Sequence, residues 1–353
     1  AGIASGSTDF GGFFGFGERS LTPRSAQLTV QQPVFAGGGI NASIDQAKAL
    51  DQASRSSTDS VRLTLIAEVA EAYVGVLTSQ QALALGQSQV EEPTLAAAQA
   101  QQQFESGEVA RTAVDQAKSA LAEAKAGYAR AQGVLAVAAA HYRMLVGDEP
   151  SDLAPLGPPP AGPAQMQDAV AAAEADNPAI AAAESQVSAA KDGVRRAEAD
   201  RFPSVAVEAQ ASSIRDQFLP GYRADGFSVG VEGRWTVFSG GAVSGKIDEA
   251  RANERAAEAA LDQARAAVDE GVIDAWTARQ SADAQAAASS DQAKAADAAL
   301  ADVREEVRVG ERPTLDLLDA ERADLDSRIA SLDASAARVV AAYRLSAAMG
   351  GAP

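Results

Sequence analysis

The most readable chemistry in the chain lies near its C-terminal end. Asp316 and Asp319 are three residues apart, so a helix would set both carboxylates on one face, and Arg312 stands one turn before them. Repeated around a threefold axis, such a pair becomes two stacked carboxylate rings, which hold cations and repel anions. The same acids also suit an ordinary solvated helix start, where they complement the macrodipole. Catalysis has little to work with. The sequence has no Cys and a single His, His141, which reads as a helix-surface residue. It contains no G-x-x-x-x-G-K-[ST] phosphate loop, no catalytic triad and no metal-ligand cluster. The expectation is a protein that is not an enzyme and uses no metal or cofactor.

Composition narrows the class further. Of 353 residues, 46% are hydrophobic but only 5% aromatic, and the formal net charge is -18. Roughly a quarter of the chain is Ala, far above ordinary usage, which suits a narrow helix seam better than a broad globular core. The acidic balance argues against nucleic acid, whose phosphates call for clustered Lys and Arg. The sequence holds no apolar run of 18 residues and no charged segment followed by an apolar one at its start. A membrane β-barrel leaves no such hydropathy peak and stays open.

An internal repeat organises everything else. Val34-Phe35-Ala36-Gly37-Gly38-Gly39-Ile40 returns as Val237-Phe238-Ser239-Gly240-Gly241-Ala242-Val243, an offset of 203 residues. Carried on without gaps, that offset sets Ala72-Tyr73 on Ala275-Trp276 and Gly107-Glu108 on Gly310-Glu311. The chain therefore reads as two copies of one unit. Each copy opens with period-two alternation. Val205, Val207, Ala209 and Ala211 alternate with polar neighbours, as do Phe227, Val229, Val231, Trp235 and Val237, with Pro220-Gly221 between the two runs. Ala26, Leu28 and Val30 against Gln27, Thr29 and Gln31 form the first copy's strand, preceded by a Gly/Phe-rich loop and a short partner near Ala1 to Thr8. That makes four strands.

After each Gly-Gly the period becomes helical. Helices are predicted from about Asn41 to Phe104, with a bend at Glu92-Pro93, and from about Val243 to Arg308; at 1.5 Å per residue each is a rod of roughly 95 to 100 Å. The chain turns at Gly107 and Gly310 and returns through 112–147 and 314–348. In the last segment Leu318, Leu325, Leu332 and Val339 recur every seven residues, a coiled-coil seam. Further helix runs from about Gln165 to Ala199. By the repeat offset its counterpart would precede Ala1, so a native N-terminal helix of about 35 residues is expected to be missing here. The resulting plan is a first β-hairpin over 1–36, a long helical hairpin over 37–149, a Pro-rich crossover over 150–163, a half-length helix over 164–201, a second β-hairpin over 202–239 and a second long helical hairpin over 240–353. Four strands cannot close a barrel, and a sheet with one exposed apolar face invites aggregation. Three chains would supply twelve strands and an open lumen.

The order of strand, V-F-x-G-G turn, long helix, F-x-x-G-E turn, Asn177-Pro178, then a second copy ending in Val307 to Ala320 (VGERPTLDLLDA after Val307-Arg308), resembles the TolC family of outer-membrane efflux proteins. Gly107 to Thr112, Tyr142 to Gly147 and the Pro-rich crossover look most like the branch serving type I protein secretion. The resemblance implies a mainly α fold of long coiled-coil hairpins forming an α-barrel, with four strands per chain in a twelve-stranded transmembrane barrel. It implies a homotrimer in the bacterial outer membrane that extends into the periplasm. The partners implied are a periplasmic adaptor, an inner-membrane ABC transporter, exported protein cargo and outer-membrane lipid. By the same match Asp316 and Asp319 are the entrance selectivity ring and Arg312 the gate arginine. The sequence departs at Val307, where the family often has an aromatic gate residue, and at Ala113, where it has an acid. Asp115 is the nearest acid, rotated from that position by about 200° on a helix. Phe218, Tyr222, Phe227 and Trp235 suit an aromatic belt at a membrane interface, with core packing as the alternative. Two other readings stay open: the outer-membrane duct of a drug or metal efflux pump, and a coiled-coil scaffold with no pore.

Overall fold

The structure is a computed structural model that describes residues 2–3, 6–8, 19–21, 23–155, 157–217 and 221–351. Contacts divide the chain into two compact units, Ala1–Ala53 with Ala183–Leu261 and Ser54–Ala182 with Asp262–Pro353.

The first unit carries the strands: β1 (Gly2–Ile3), β2 (Gly6–Thr8), β3 (Arg19–Leu21), β4 (Arg24–Ala36), β5 (Ser204–Arg215) and β6 (Arg223–Arg234). β1, β4, β5 and β6 form an antiparallel sheet in that order, and β2 with β3 forms a separate two-stranded one. Register follows from the alternation. Leu28 faces Ala211, which faces Phe227, and Val30 faces Ala209, which faces Val229, so the middle of one side of the sheet is apolar, while Arg24, Arg215, Arg223 and Asp225 fall on that side at one end and Gln32 toward the other. Gln27, Thr29, Gln31, Glu208, Gln210, Ser228 and Glu232 take the other side. A bulge between Pro33 and Phe35 leaves Val34 unpaired and brings Phe35 opposite Val205. The extra residue resets the parity, so Phe35 joins the apolar side. Pro33 is tolerated beside the bulge because a missing N–H disturbs the ladder least there.

One strand is shorter than its alternation suggests. Trp235 and Val237 continue the pattern of β6, yet the ladder stops at the pair Ser204 and Arg234. The next partner would be Pro203, which has no N–H to donate. The chain leaves the sheet there, and Trp235 Nε1 donates instead to the Arg201 carbonyl at 3.2 Å.

The helices are α1 (Gly39–Ser88), α2 (Glu91–Glu105), α3 (Arg111–Val146), α4 (Met166–Asp176), α5 (Pro178–Ala199), α6 (Ala242–Arg308) and α7 (Thr314–Ala348). With 67 residues, α6 is about 100 Å long. The matching rod of the first copy is broken between α1 and α2. Pro93 cannot donate to the Gln89 carbonyl, so it sits in the first turn of a new helix, where its missing N–H costs least. The segment predicted as one helix over 165–199 is likewise two. Asn177 is extended (φ -71°, ψ 121°) because it precedes Pro178. Its Oδ1 accepts from Ala179 N at 2.9 Å and its Nδ2 donates to the Ala348 carbonyl at 2.8 Å, which ties the break to the end of α7.

Backbone geometry repeats with the sequence. Gly37 and Gly240 have φ of 58° and 59°, and Gly38 and Gly241 have 86° and 90°. In the second unit, Ala169 and Ala173 of α4 pack fully buried against Val272 of α6 and Leu345 of α7, with Trp276 and Met349 at the margin. Small residues let these helices approach closely. Tyr73 donates to the Ala154 carbonyl at 2.6 Å and holds the Pro-rich crossover.

The paired glycines make a graded test. A Cβ on Gly240 meets nothing within 4 Å, whereas one on Gly37 would lie 2.7 Å from Phe202 Cβ and 2.8 Å from the Ala199 carbonyl oxygen. Gly240→Ala should cost about 1–2 kcal/mol for the left-handed backbone alone. Gly37→Ala should cost more and lower the thermal midpoint in detergent further; equal midpoints would contradict the packing described for Gly37.

Candidate functional site

The two hairpin turns are superimposable hydrogen-bond patterns. Glu108 N donates to Gln103 O at 2.8 Å and Gly107 N to Phe104 O at 3.1 Å; Glu311 N donates to Glu306 O at 2.8 Å and Gly310 N to Val307 O at 3.1 Å. Each is a helix-ending motif that needs a left-handed residue at its centre, and both glycines have φ of 78°. The turns reverse the chain with the same shape and differ in side chains alone.

Those side chains divide the predicted site. Arg312 pairs within its own hairpin, Nε to Glu306 Oε2 at 2.5 Å and one guanidinium nitrogen to Asp316 Oδ2 at 3.8 Å. The structure thus brings Arg312 and Asp316 together, with Asp316 half-buried in the first turn of α7. Asp319 lies one turn further on and is exposed. Asp115 is exposed near the start of α3, on the other hairpin, and Arg312 does not pair with it among the described residues. Val307 and Ala113 are both half-buried.

Sequence reading missed the most buried polar line of α7. Glu321, Asp324 and Ser327 are each 3% exposed. Of the heptad seam, Leu318, Leu325 and Leu332 are half-buried and Val339 is buried. Ion pairs run along the antiparallel α6–α7 hairpin: Arg304 to Glu321 at 3.2 Å, Arg328 to Asp297 at 2.5 Å and Arg338 to Asp283 at 2.8 Å. Arg328 also reaches back to Asp324 at 2.7 Å. The first copy places Lys118 on Gln101 at 3.2 Å at the positions that match Glu321 and Arg304. The signal lay in the three-residue spacing of Glu321, Asp324 and Ser327 together with Arg328 four residues after Asp324. Glu321 Oε2 and Asp324 Oδ1 are buried with no hydrogen-bond partner among the described residues. Burial pushes the Glu321 carboxyl above its ordinary range, against the opposing pull of the Arg304 hydrogen bond.

At the sheet, the aromatics are not core residues of this chain. Phe227 is 76% exposed on the apolar side, in line with Val229 and Val231, and Trp235 is 60% exposed. Tyr222 and Trp235 flank opposite ends of β6, about 43 Å apart along a strand. Phe218 lies outside the described residues. No helix among them is long and apolar enough to cross a membrane.

Comparison with known proteins now decides the class. The family model for "Outer membrane efflux protein" matches residues 1–148 and 169–351. The chain belongs to the outer membrane efflux protein family. Among its relatives, the outer membrane efflux protein BepC of Brucella suis is 28% identical over 331 residues, spanning 93% of this chain and 72% of BepC. Protein CyaE of Bordetella pertussis is 29% identical over 287 residues, 79% of this chain and 59% of CyaE. The fold is shared with the open state of the Neisseria gonorrhoeae MtrE outer membrane channel (TM-score 0.75, 24% identity, 99% of this chain and 80% of that one). It is also shared with the Campylobacter jejuni CmeC outer membrane channel (TM-score 0.81, 13% identity, 99% and 76%). As an efflux-family channel the protein resides in the outer membrane and extends into the periplasm. Family channels are trimers that work with periplasmic adaptors and inner-membrane pumps.

Glu321 gives this site a pH signature. A raised carboxyl in the folded chain holds more protons than the unfolded chain as pH climbs past the ordinary glutamate value, so its contribution to stability falls with rising pH across that window. Glu321→Gln removes the effect. The thermal midpoint of the variant, relative to the parent, should therefore rise between pH 4.5 and pH 7; parallel midpoint curves would show that Glu321 carries no such strain.

Proposed function

We propose that this chain is one third of a passive export duct for a type I protein secretion system. Three copies join their four-stranded sheets into a twelve-stranded barrel through the outer membrane, and their helical hairpins line a periplasmic tunnel. The observation that carries the reading is the sheet itself. Leu28, Val30, Phe227, Val229 and Val231 are 57 to 76% exposed on one side of it, and the outer edge of β6 has no strand partner among the described residues. Moving those side chains out of water is worth about 1.5–3 kcal/mol each, a strong drive toward lipid. Closing the edges onto neighbouring copies satisfies the backbone, as a membrane barrel requires. The polar side then faces the lumen.

In this reading the protein catalyses nothing. An inner-membrane ABC transporter supplies the energy, a periplasmic adaptor docks on the helical hairpins, and exported protein passes through. Asp316 and Asp319 form the entrance rings, and Arg312 restrains the entrance by holding Glu306 and Asp316. The Gly107 to Thr112 turn, the Tyr142 to Gly147 segment and the Pro-rich crossover favour the secretion branch. A drug or metal efflux duct is the second reading, favoured by the efflux description of the family and of BepC.

Purified protein in a planar bilayer should form trimers with stepwise, cation-selective conductance, whereas a soluble monomer without conductance overturns the duct. Arg312→Ser should raise resting conductance severalfold. Asp316→Asn with Asp319→Asn should abolish block by multivalent cations; persistent block would move the ring elsewhere. Loss of a secreted protein from the native host on deletion supports secretion, and drug sensitivity with intact secretion supports the pump reading.

A further inference from the structure

A cavity of about 600 Å³ opens in the second unit between the C-terminal part of α1, the middle of α3 and the first half of α7. That volume fits a drug-sized molecule. Its apolar wall is Val134, Leu318, Leu325 and Ile329, with the Tyr128 ring beside them. Five carboxylates also line it, Glu123, Asp319, Glu321, Asp326 and Asp333, against two guanidinium groups, Arg130 and Arg322. Arg322 is taken up by Glu123 at 2.8 Å. Glu321 is the informative member: its side chain is 3% exposed, one oxygen is held by Arg304 from outside the cavity wall, and Oε2 has no partner among the described residues. Five carboxylates against two guanidinium groups leave the cavity wall net acidic, which favours a cation over an anion.

The carboxylates are spread along the wall. No three acids, His or Cys among the described residues come close enough to hold a metal ion. A bare ion would find too few ligands, whereas a cation with its charge spread over an apolar body would meet the leucines, the Tyr128 side chain and the acids together. We propose that this cavity binds an amphipathic organic cation, one per chain, with Glu321, Asp326 and Asp333 supplying the charge and Leu318, Leu325 and Ile329 the apolar contact. The site stands apart from the duct reading, since its walls come from helices of one chain and its readout is binding.

Gly127 provides a clean block. It lines the cavity, a Cβ there meets nothing within 4 Å, and replacing a mid-helix Gly with Leu favours the helix. The full chain in lipid nanodiscs is titrated calorimetrically with tetraphenylphosphonium, with tetraphenylborate as the same shape of opposite charge. Saturable binding of the phosphonium alone is expected. Gly127→Leu should weaken it at least tenfold, as should Glu321→Gln. The pair Asp326→Asn and Asp333→Asn tests the charge argument independently at exposed positions, should Glu321→Gln prove unstable. Absence of saturable binding, equal binding of tetraphenylborate, or undiminished binding by folded Gly127→Leu or by the paired Asn variant overturns the site.

Discussion

Backbone groups at a sheet edge must be paired, and that constraint governs this protein. Among the described residues, β6 presents its outer edge without a strand partner and β4 is paired on its other side at Arg24 and Ser25 alone. One side of the same sheet is apolar and exposed. Water tolerates neither feature well, and lipid tolerates the second only if the first is closed. Association of copies around an axis removes both difficulties at once. The long helices then have a role that a small globular core would not require.

Much of this was legible because the chain says it twice. The Val-Phe-x-Gly-Gly turn, the hairpin glycines and the 203-residue offset reappear as matched positive φ angles and matched turn hydrogen bonds. Strand alternation gave the two sides of the sheet correctly, because side-chain direction in a strand depends only on parity. What failed was termination. Trp235 and Val237 keep the alternating pattern after the ladder has ended, because the decisive residue is Pro203 on the partner strand. Asn177 divides a run that periodicity reads as continuous, and its second hydrogen bond goes to Ala348, a contact that no local pattern contains.

On α7 the deepest line was missed for a different reason. Heptad leucines normally mark the most buried line of a helix, yet here Glu321, Asp324 and Ser327 are deeper than Leu318 and Leu325. Arg304 and Arg328 make this possible by lying against the acids from α6 and from the next turn of α7. Burying such a line is unfavourable unless each charge is paired, and two carboxylate oxygens of this line are without hydrogen-bond partners among the described residues. The first copy has Gln101 and Lys118 at the corresponding pair, so the duplicated halves have kept their backbone and diverged in interior charge. The hairpin that holds Arg312, Asp316 and Asp319 is the one with the electrostatically sensitive interior.

The bulge at Val34 bears on how relatives of this chain can change length. Strand faces count by twos, so a single-residue insertion within β4, β5 or β6 would turn side chains of the apolar side onto the polar side unless a second irregularity restored the phase. Arg304 and Asp297 are seven residues apart on α6, as are Glu321 and Arg328 on α7, so a hairpin shortened or lengthened between these two pairs keeps both only if each helix changes by whole heptads. Insertions and deletions are therefore channelled into connections such as the Pro-rich crossover, and divergence in size should accumulate there while strands and rods hold their length.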